Sequence, residues 1–485
     1  MFTAYVATTI REAEKPLIHP DDRLMRTAAH AVADHIAACV RADATILILA
    51  GTGGNGGDGL YAGVDLIKRG YDRICAYMPD EAYPPALTAF TEAGGSIIGD
   101  LDKITPDLIV DALVGLGCHS GIDPKIDNFI AHNQNAVIVS VDIPSGIDAD
   151  TGVAFSPHIR ADHTISFGAA RGAHLISPHC GTISIAPIGI EDHLHTPLGY
   201  LSHSITADGK IGVRGADFDA HRVIPGPLDH KYSGGVVGII AGSPTYPGAA
   251  VLATTAGVQA TSSMVRYLGP CANEVIALNP EVVCQDGAVD AWVIGPGGAG
   301  AADIENILGS PCPVILDAGA LTTLAQSELL RSQLIARTDP TVLTPHHGEF
   351  ETLARNFCTE SLATGGLGAI QELADHMGHT LVVKGRKTVI CTGSRDAVIA
   401  IDSGHSWLAT PGTGDLLAGM MGAWVAHHQA RQLNINLAIP LSVHILNIAG
   451  FLAAQTTYGA APTSASAVAR KIPEATAAIL YTKKL

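Results

Sequence analysis

The chain has 485 residues, 47% of them hydrophobic, and above about 250–300 residues a chain ordinarily divides into domains. Its 46 acidic residues against 29 basic ones give a net charge of -17. With no Lys/Arg-rich run and no aromatic interleaving of basic residues, neither a general nucleic-acid binder nor a membrane-surface protein is expected.

The N-terminal stretch MFTAYVATTIREAEKPL brings in Arg11, Glu12, Glu14 and Lys15 where a signal peptide would stay apolar, and no convincing run of about 18 or more apolar residues follows. A cytoplasmic location is expected. Ile46–Leu49 is the first predicted strand, followed by the glycine-rich loop AGTGGNGGDG and a helix over 57–68. Arg73–Tyr77, Leu108–Val110, Val137–Val141 and His163–Phe167 read as further strands, with a helix over 85–93. Such alternation predicts a parallel sheet covered by helices.

Gly51, Gly53 and Gly56 satisfy G-x-G-x-x-G, and glycines between a strand and a helix let backbone N–H groups approach a phosphate. A nicotinamide dehydrogenase would want a ribose-binding carboxylate about 20 residues on, and Asp80 or Glu81 stands near there. The pattern is weak in a chain with 53 glycines, because Gly295–Gly300 satisfies it too. More informative are DALVGLG (111–117), VDIPSGIDADTG (141–152) and SFGAARGAHL (166–175) at the ends of predicted strands. Strand C-terminal ends converge on the ligand crevice of an open α/β sheet, so Asp58, Asp111 and Asp142 can share one site. Several carboxylates around a nucleotide call for proton chemistry or a cation among them.

GTGGNGGDG, DALVGLG and VDIPSGIDADTG, in this order and spacing, resemble the NAD(P)H-hydrate epimerase domain. The resemblance implies a Rossmann-like three-layer domain that interconverts the R and S forms of hydrated NADH and NADPH, called NADHX and NADPHX. It implies that Asn55, Asp111 and Ser145 hold a potassium ion, and that Gly54, Asn55, Gly56, Gly57, Asp58, Gly115, Gly121 and Asp142 contact substrate, with Asp142 as the acid/base. Two positions depart from the family: Gly54 replaces an Asn, and Arg171 stands where a Lys is usual. Arg remains protonated, so it can act as a fixed charge but not as a proton donor.

Residues 191–229 are polar and lack sustained apolar periodicity, which puts the expected boundary near 215, with domains at 1–214 and 215–485. The second half repeats the α/β grammar: strands at Val236–Ile240, Met264–Leu268, Trp292–Ile294, Val314–Leu316 and Leu381–Val383, and a helical stretch over 249–260. LATPGTGDLLAGMMGAW (408–424) sets Gly412, Thr413, Gly414 and Asp415 before an apolar helix. N–H groups at that helix start can receive an oxyanion, and Asp415 can take a proton from a hydroxyl beside a terminal phosphate. A helix terminus contributes only about 0.3–2 kcal/mol, so magnesium is expected with a polyphosphate. No G-x-x-x-x-G-K-[ST] occurs, which excludes a P-loop.

HKYSGGVVGIIAGSPTYPGAA, AWVIGPG, VILDAGAL, LTPHHGEFETLA and VVKGRKTVI, together with GTGD, resemble the ADP- or ATP-dependent NAD(P)H-hydrate dehydratase of the ribokinase-like superfamily. That resemblance implies a C-terminal ribokinase-like α/β domain that phosphorylates the hydroxyl of the S-form hydrate and then expels phosphate. Asp415 would be the base; Gly297, His346 and Asp415 would contact the hydrate; Lys384, Gly385, Arg386, Lys387, Thr388 and Gly414 would hold ADP or ATP. His346 and His347, read as neighbours on a strand, would point apart, so at most one faces ligand. Gly319 replaces an Asp, and His405 replaces an Asn.

Nine cysteines, at 39, 75, 118, 180, 271, 284, 312, 358 and 391, form no C-x-x-C pair, so neither a disulfide framework nor a structural zinc site is expected. A homo-oligomer is compatible with the resemblance. The alternative reading is a vitamin or sugar kinase carrying a non-catalytic Rossmann-like binding domain.

Overall fold

The computed structural model describes residues 1–261, 263–357, 365–394 and 396–481; Cys358 lies outside the described residues. Two compact units divide the chain: Met1–Leu201 with Gly365–Leu367, and the other described residues from Ser202 onward.

The first unit runs β1 (Phe2–Tyr5), α1 (Ala7–Glu14), α2 (Arg23–Cys39), β2 (Ile46–Ala50), α3 (Gly54–Lys68), β3 (Ile74–Tyr77), α4 (Pro84–Glu92), β4 (Ser96–Ile97), β5 (Leu108–Ala112), α5 (Pro124–His132), β6 (Val137–Val141), β7 (His163–Phe167), β8 (Ala170–Arg171), α6 (Gly172–Ile176), β9 (Thr182–Ala186) and β10 (Gly199–His203). Seven strands form a sheet in the order β4-β3-β2-β5-β6-β7-β9, every pair parallel. β1 lies apart from it, pairing antiparallel with β10 and parallel with β8.

Both faces of this sheet are covered, which is why β2 is a continuous apolar run rather than an alternation. Ile46, Ile48 and Ala50 pack with Val32 and Ile36 of α2, Leu60 and Leu66 of α3 and Phe90 of α4. Leu47 and Leu49 point the other way, to Ile126 and Phe129 of α5. Each such aliphatic side chain contributes about 1.5–3 kcal/mol by leaving water. The unit is the expected Rossmann-like three-layer domain, and its strand order reverses between β2 and β5, where the crevice opens.

The helix predicted from residue 57 begins at Gly54, so the glycine loop includes the first turn of α3. Glycine disfavours helix by about 1 kcal/mol per residue, which hid that turn, but packing requires it. A Cβ on Gly56 would stand 2.0 Å from the Gly51 carbonyl oxygen, and one on Gly51 would stand 1.9 Å from that of Leu113. Gly51→Ala is therefore expected to destabilise the first unit by about 3 kcal/mol, the upper end for overpacking because the obstruction is backbone. Urea unfolding of the variant reads this out.

The second unit comprises β11 (Val236–Ile240), α7 (Pro247–Ala260), β12 (Met264–Tyr267), α8 (Ala272–Leu278), β13 (Ala291–Ile294), α9 (Ala301–Leu308), β14 (Val314–Leu316), α10 (Gly319–Gln326), α11 (Glu328–Ala336), β15 (Thr341–Leu343), α12 (His347–Phe357), α13 (Gly366–Met377), β16 (Thr380–Val383), β17 (Lys387–Cys391), β18 (Val398–Asp402), α14 (Thr413–Ala430), α15 (Ile435–Ala454) and α16 (Ala465–Tyr481). Strands β12-β11-β13-β14-β15-β16 run parallel, and β17 and β18 extend the sheet antiparallel. Helix α14 is buried on every side from Leu416 to His428, as a central helix must be. Small residues let it reach α7, since a Cβ on Gly419 would meet the Ala253 carbonyl oxygen at 2.0 Å.

The polar segment 191–229 is not structureless: it holds β10, and Phe218 and Ala220 join the core of the second unit. Helix α15 has a mean hydropathy of 1.9, enough by length and composition to cross a membrane, but 78% of that window is buried within the fold. Its polar residues are paired inside: His444 bonds Ser204 Oγ at 2.9 Å, and Asn447 donates to the same oxygen at 2.9 Å. It is a core helix.

Candidate functional site

In the first unit the site gathers around the loops that leave β2, β5 and β6. Asp142 follows β6 in a left-handed conformation, φ 63°, which Asp and Asn tolerate best among non-glycine residues. Its Oδ1 accepts a hydrogen bond from Ser166 Oγ at 2.8 Å and pairs with an Arg171 guanidinium nitrogen at 3.0 Å. Arg171 is 1% exposed and donates also to the Ala169 carbonyl oxygen at 2.7 Å. His174 accepts from the Arg171 backbone N–H at Nδ1 and so donates from Nε2 to the Asp142 carbonyl oxygen, at 3.0 Å each. That pairing fixes a neutral tautomer.

Gly115 brings the glycine turn to this group: a Cβ there would lie 3.0 Å from Asn55 Oδ1 and 3.2 Å from Asp142 Oδ2. Asn55 Nδ2 is buried with no hydrogen-bond partner, a donor free for a ligand. Burial, then the negative charges of Asp142 and Glu14, push Asp58 well above the usual carboxylate range. Burial raises Glu14 too, opposed by Arg171. Gly54 is exposed, and a side chain there would have only Met25 Cε nearby, at 3.9 Å, so nothing steric excludes the family's Asn. Gly57 and Gly121 pack against Met25 and Ser156 respectively.

Asp111, at the end of β5, is fully buried. It accepts from Ser140 Oγ at 2.7 Å, the Ser145 backbone at 2.8 Å and Ser145 Oγ at 2.6 Å. Burial raises its titration, and these hydrogen bonds pull it back. Among the described residues no Lys or Arg pairs with it. A buried carboxylate lacking a basic partner, beside the Ser145 hydroxyl, which accepts from the Val114 N–H on the same loop whose Gly115 meets Asn55, is an oxygen donor set of the kind hard cations take.

In the second unit, Asp415 sits in the first turn of α14, capped by Gly412 at φ 91°. Lys384, just past β16, donates to Asp317 Oδ1 at 2.6 Å, and Thr344 Oγ1 donates to the same oxygen at 2.8 Å. Burial foremost, then the Asp317 charge, lifts Asp415 to about 6, while Lys384 opposes the rise. A Cβ on Gly414 would lie 3.4 Å from Lys384 Nζ. Asp317, Thr344, Lys384 and Asp415 thus come together at the C-terminal ends of β14, β15 and β16 and the start of α14. The chain is tight here: Ala318 has φ 45°, and Gly295 at φ 119° would set a Cβ 1.9 Å from the Asp317 carbonyl oxygen.

The other residues singled out from the sequence divide. Gly297, at φ 75°, lies on the turn after β13, its carbonyl bonded by Ser243 Oγ at 2.8 Å. His346 lines an open cleft of about 230 Å³ with Leu321, Thr322, Gly348, Glu349 and Thr352. The two histidines are not strand neighbours, as expected from the sequence, but a helix start. His346 Nδ1 accepts from the Gly348 N–H at 3.0 Å while Glu349 accepts from the His346 N–H at 2.8 Å, a reciprocal cap. Gly385 and Arg386 form the β16–β17 turn, with Arg386 paired to Asp402 at 3.1 Å. Lys387 and Thr388 are buried in β17. His405 is a buried brace: its Nε2 bonds the Asn447 carbonyl oxygen at 2.7 Å.

Sequence reasoning did not single out Glu14, Ser166, His174, Asp317 or Thr344. Ser166, His174, Asp317 and Thr344 lie within the strand-end motifs, whereas Glu14 reaches the site from a helix far away in sequence and carried no signal. Replacing Lys384 with Met is expected to cost about 3 kcal/mol, because Asp317, 1% exposed, would lose its counter-charge. It also removes the charge that holds Asp415 down, so the Asp415 titration rises above about 6; unfolding curves and a pH–rate profile measure both.

Residues 237–471 match the family described as NAD(P)H-hydrate dehydratase, and residues 21–173 match the YjeF-related protein N-terminus. A solved structure, ADP/ATP-dependent NAD(P)H-hydrate dehydratase from Bacillus subtilis co-crystallized with ATP/Mg2+, is similar at 22% identity and TM-score 0.42 over 53% of this chain and 97% of that one. The bifunctional NAD(P)H-hydrate repair enzyme Nnr of Mycobacterium tuberculosis is 40% identical over 87% of this chain and 89% of its own. Its counterpart in Corynebacterium glutamicum is 37% identical over 97% of each. Likeness of that degree along nearly the whole length makes this chain a member of the bifunctional NAD(P)H-hydrate repair enzyme family.

Proposed function

We propose that residues 1–214 carry the epimerase and 215–485 the dehydratase, with Asp142 and Asp415 as their respective proton-transfer groups. The chain is a bifunctional repair enzyme: it interconverts R- and S-NAD(P)HX and dehydrates the S form to NAD(P)H with consumption of ADP or ATP. The observation that carries the assignment is that each parallel sheet ends in its own carboxylate-and-cation group, Asp142 with Arg171 and Asp415 with Asp317 and Lys384.

In the second unit Asp415, titrating at about 6, is matched to base work near neutrality. It takes the proton of the hydrate hydroxyl as that oxygen attacks the terminal phosphorus of the nucleotide, whose phosphoanhydride bond breaks. The ring-nitrogen lone pair then expels phosphate, and loss of a proton from the adjacent carbon restores the dihydronicotinamide. Gly414 and Lys384 lie where backbone N–H and ammonium can meet the phosphates, with Gly385, Arg386, Lys387 and Thr388 as the further nucleotide contacts; Gly297 and His346 face the hydrate. Magnesium would supply the charge neutralisation that a single lysine leaves incomplete.

In the first unit Asp142, held by Ser166 and Arg171, passes a proton to and from the hydroxyl of the inverting ring carbon as the ring-nitrogen lone pair expels water and water returns to the opposite face, while Asn55 offers its free amide to substrate. Asn55, Asp111 and Ser145 would hold potassium, a charge to offset the buried Asp111.

The test is to incubate purified protein with mixed R- and S-NADHX, potassium and magnesium, with and without ADP or ATP, following each epimer by chromatography and NADH by absorbance. Nucleotide-dependent recovery of NADH from both epimers, faster than spontaneous exchange, is expected. Recovery of the S form alone would demote the first unit to a binding role. A stable phosphorylated product without NADH would bring forward a kinase.

A further inference from the structure

The N-terminal end of the first unit's sheet, opposite the site just described, holds a cluster that the sequence hid. His35 and Cys39 stand one turn apart on α2, and His163 opens β7, which α2 packs against. One ring nitrogen from each histidine and Cys39 Sγ all lie within 4.8 Å of one another. Two features set the group apart from ordinary packing. His35 Nε2 and His163 Nδ1 are buried without a hydrogen-bond partner, and leaving such atoms unpaired costs free energy that a bound ion would return. The rings also meet edge to face, with centroids 5.1 Å apart.

We propose that His35, Cys39 and His163 form a site for a borderline transition-metal ion of the zinc class, with a fourth, open position for water or an exogenous ligand. Two imidazoles and one thiolate are the donors such ions select over magnesium or potassium. Bonds of about 2.0–2.3 Å in a tetrahedron want ligand atoms roughly 3.3–3.8 Å apart, so modest side-chain rotation closes the set. Burial and the neighbouring His163 hold His35 below its ordinary titration, which keeps it neutral and able to bind. Burial, then the Asp162 charge, raises the Cys39 thiol; as a ligand the thiol gives up its proton, so binding strengthens as pH rises.

The ion would tie the last turn of α2 to the first residue of β7. It sits the length of β7, about 13 Å at 3.3 Å per residue, from Phe167, whose carbonyl the Arg171 guanidinium contacts. Its role is to clamp the fold rather than to take part in the epimerase reaction.

The experiment titrates the full-length, chelator-treated protein with Co2+ alone and follows its absorption, then repeats with Cys39→Ser, His35→Gln and His163→Gln. Expected are about one Co2+ per chain, a thiolate-to-cobalt charge-transfer band, displacement by Zn2+, and a melting temperature several degrees higher with Zn2+. Cys39→Ser should lose the band, and each histidine variant should bind at least tenfold more weakly. Far-UV circular dichroism and R/S exchange, whose site lies at the other end of the same sheet, verify that the first unit of each variant is folded. No thiolate band in the parent protein, or a band that survives Cys39→Ser, overturns the assignment.

Discussion

Asp415→Asn should reduce NADH formation from S-NADHX by about 10²–10⁴, the span that a positioned general base supplies, while R/S exchange continues at the parent rate. The residue stands in the first turn of α14, partly buried, with Asp317 and Lys384 beside it. An amide has the carboxylate's shape but cannot accept the proton. Loss of fold would not explain the result. The native pKa of Asp415, about 6, lies above the ordinary 3.8, so the ionised form costs stability. That cost is absent below about 3.8, grows as the pH rises to about 6 and is complete above it. Asn carries none of it, so at neutral pH the variant should be as stable as its parent or more so. The parent's rate should fall tenfold per unit as the pH drops below about 6, because only the carboxylate accepts a proton. A variant within tenfold of the parent, or a flat parent profile between pH 5 and 7, would move the base elsewhere, with Asp317 as the next carboxylate at hand.

The central strands were legible where burial on both faces leaves a mostly apolar run, as in β2, β11 and β14, and Val137–Val141, His163–Phe167, Val236–Ile240 and Val314–Leu316 have the bounds that their residues suggest, whereas β4, β9, β15 and β17 were not singled out. What escaped depends on contacts distant in sequence. β1 and β10 pair with each other across nearly the whole unit, and antiparallel β18 follows a turn that carries no hairpin signature. The candidate sites were legible where a carboxylate follows a strand next to glycine, as at Asp111, Asp142 and Asp415. They were illegible where a neighbour arrives from another element: Thr344 on Asp317, His174 on the Asp142 carbonyl, Glu14 near Arg171. The same reason hid His35, Cys39 and His163, whose sequence spacing follows no metal-site pattern. The departures noted from the sequence also gain physical content. A Cβ on Gly319 would meet Gly298 Cα at 2.6 Å, so the backbone at the start of α10 leaves no room for a side chain at this position.

Asp142→Asn is expected to bring R/S exchange down to its spontaneous rate, a loss of about 10²–10⁴, while dehydration of S-NADHX proceeds unchanged. The substitution suits the backbone: φ 63° at this position is one that Asn adopts as readily as Asp. The amide oxygen can still accept from Ser166 Oγ, and Arg171 keeps the Ala169 and Phe167 carbonyl oxygens as acceptors, so its buried charge retains hydrogen bonds although it loses its counter-charge. Some stability is lost with the ion pair, and a urea curve of the variant sets that loss apart from the loss of exchange. With a stoichiometric mixture of epimers and ATP, the variant should convert the S half quickly and then slow to the rate at which R becomes S unaided; the parent should run to completion in one phase. A single fast phase in the variant would mean that Asp142 only orients the site. Asp58, pushed well above the carboxylate range by burial and then by the charges of Asp142 and Glu14, would then be the group to replace, since that shift favours the protonated form, which can donate.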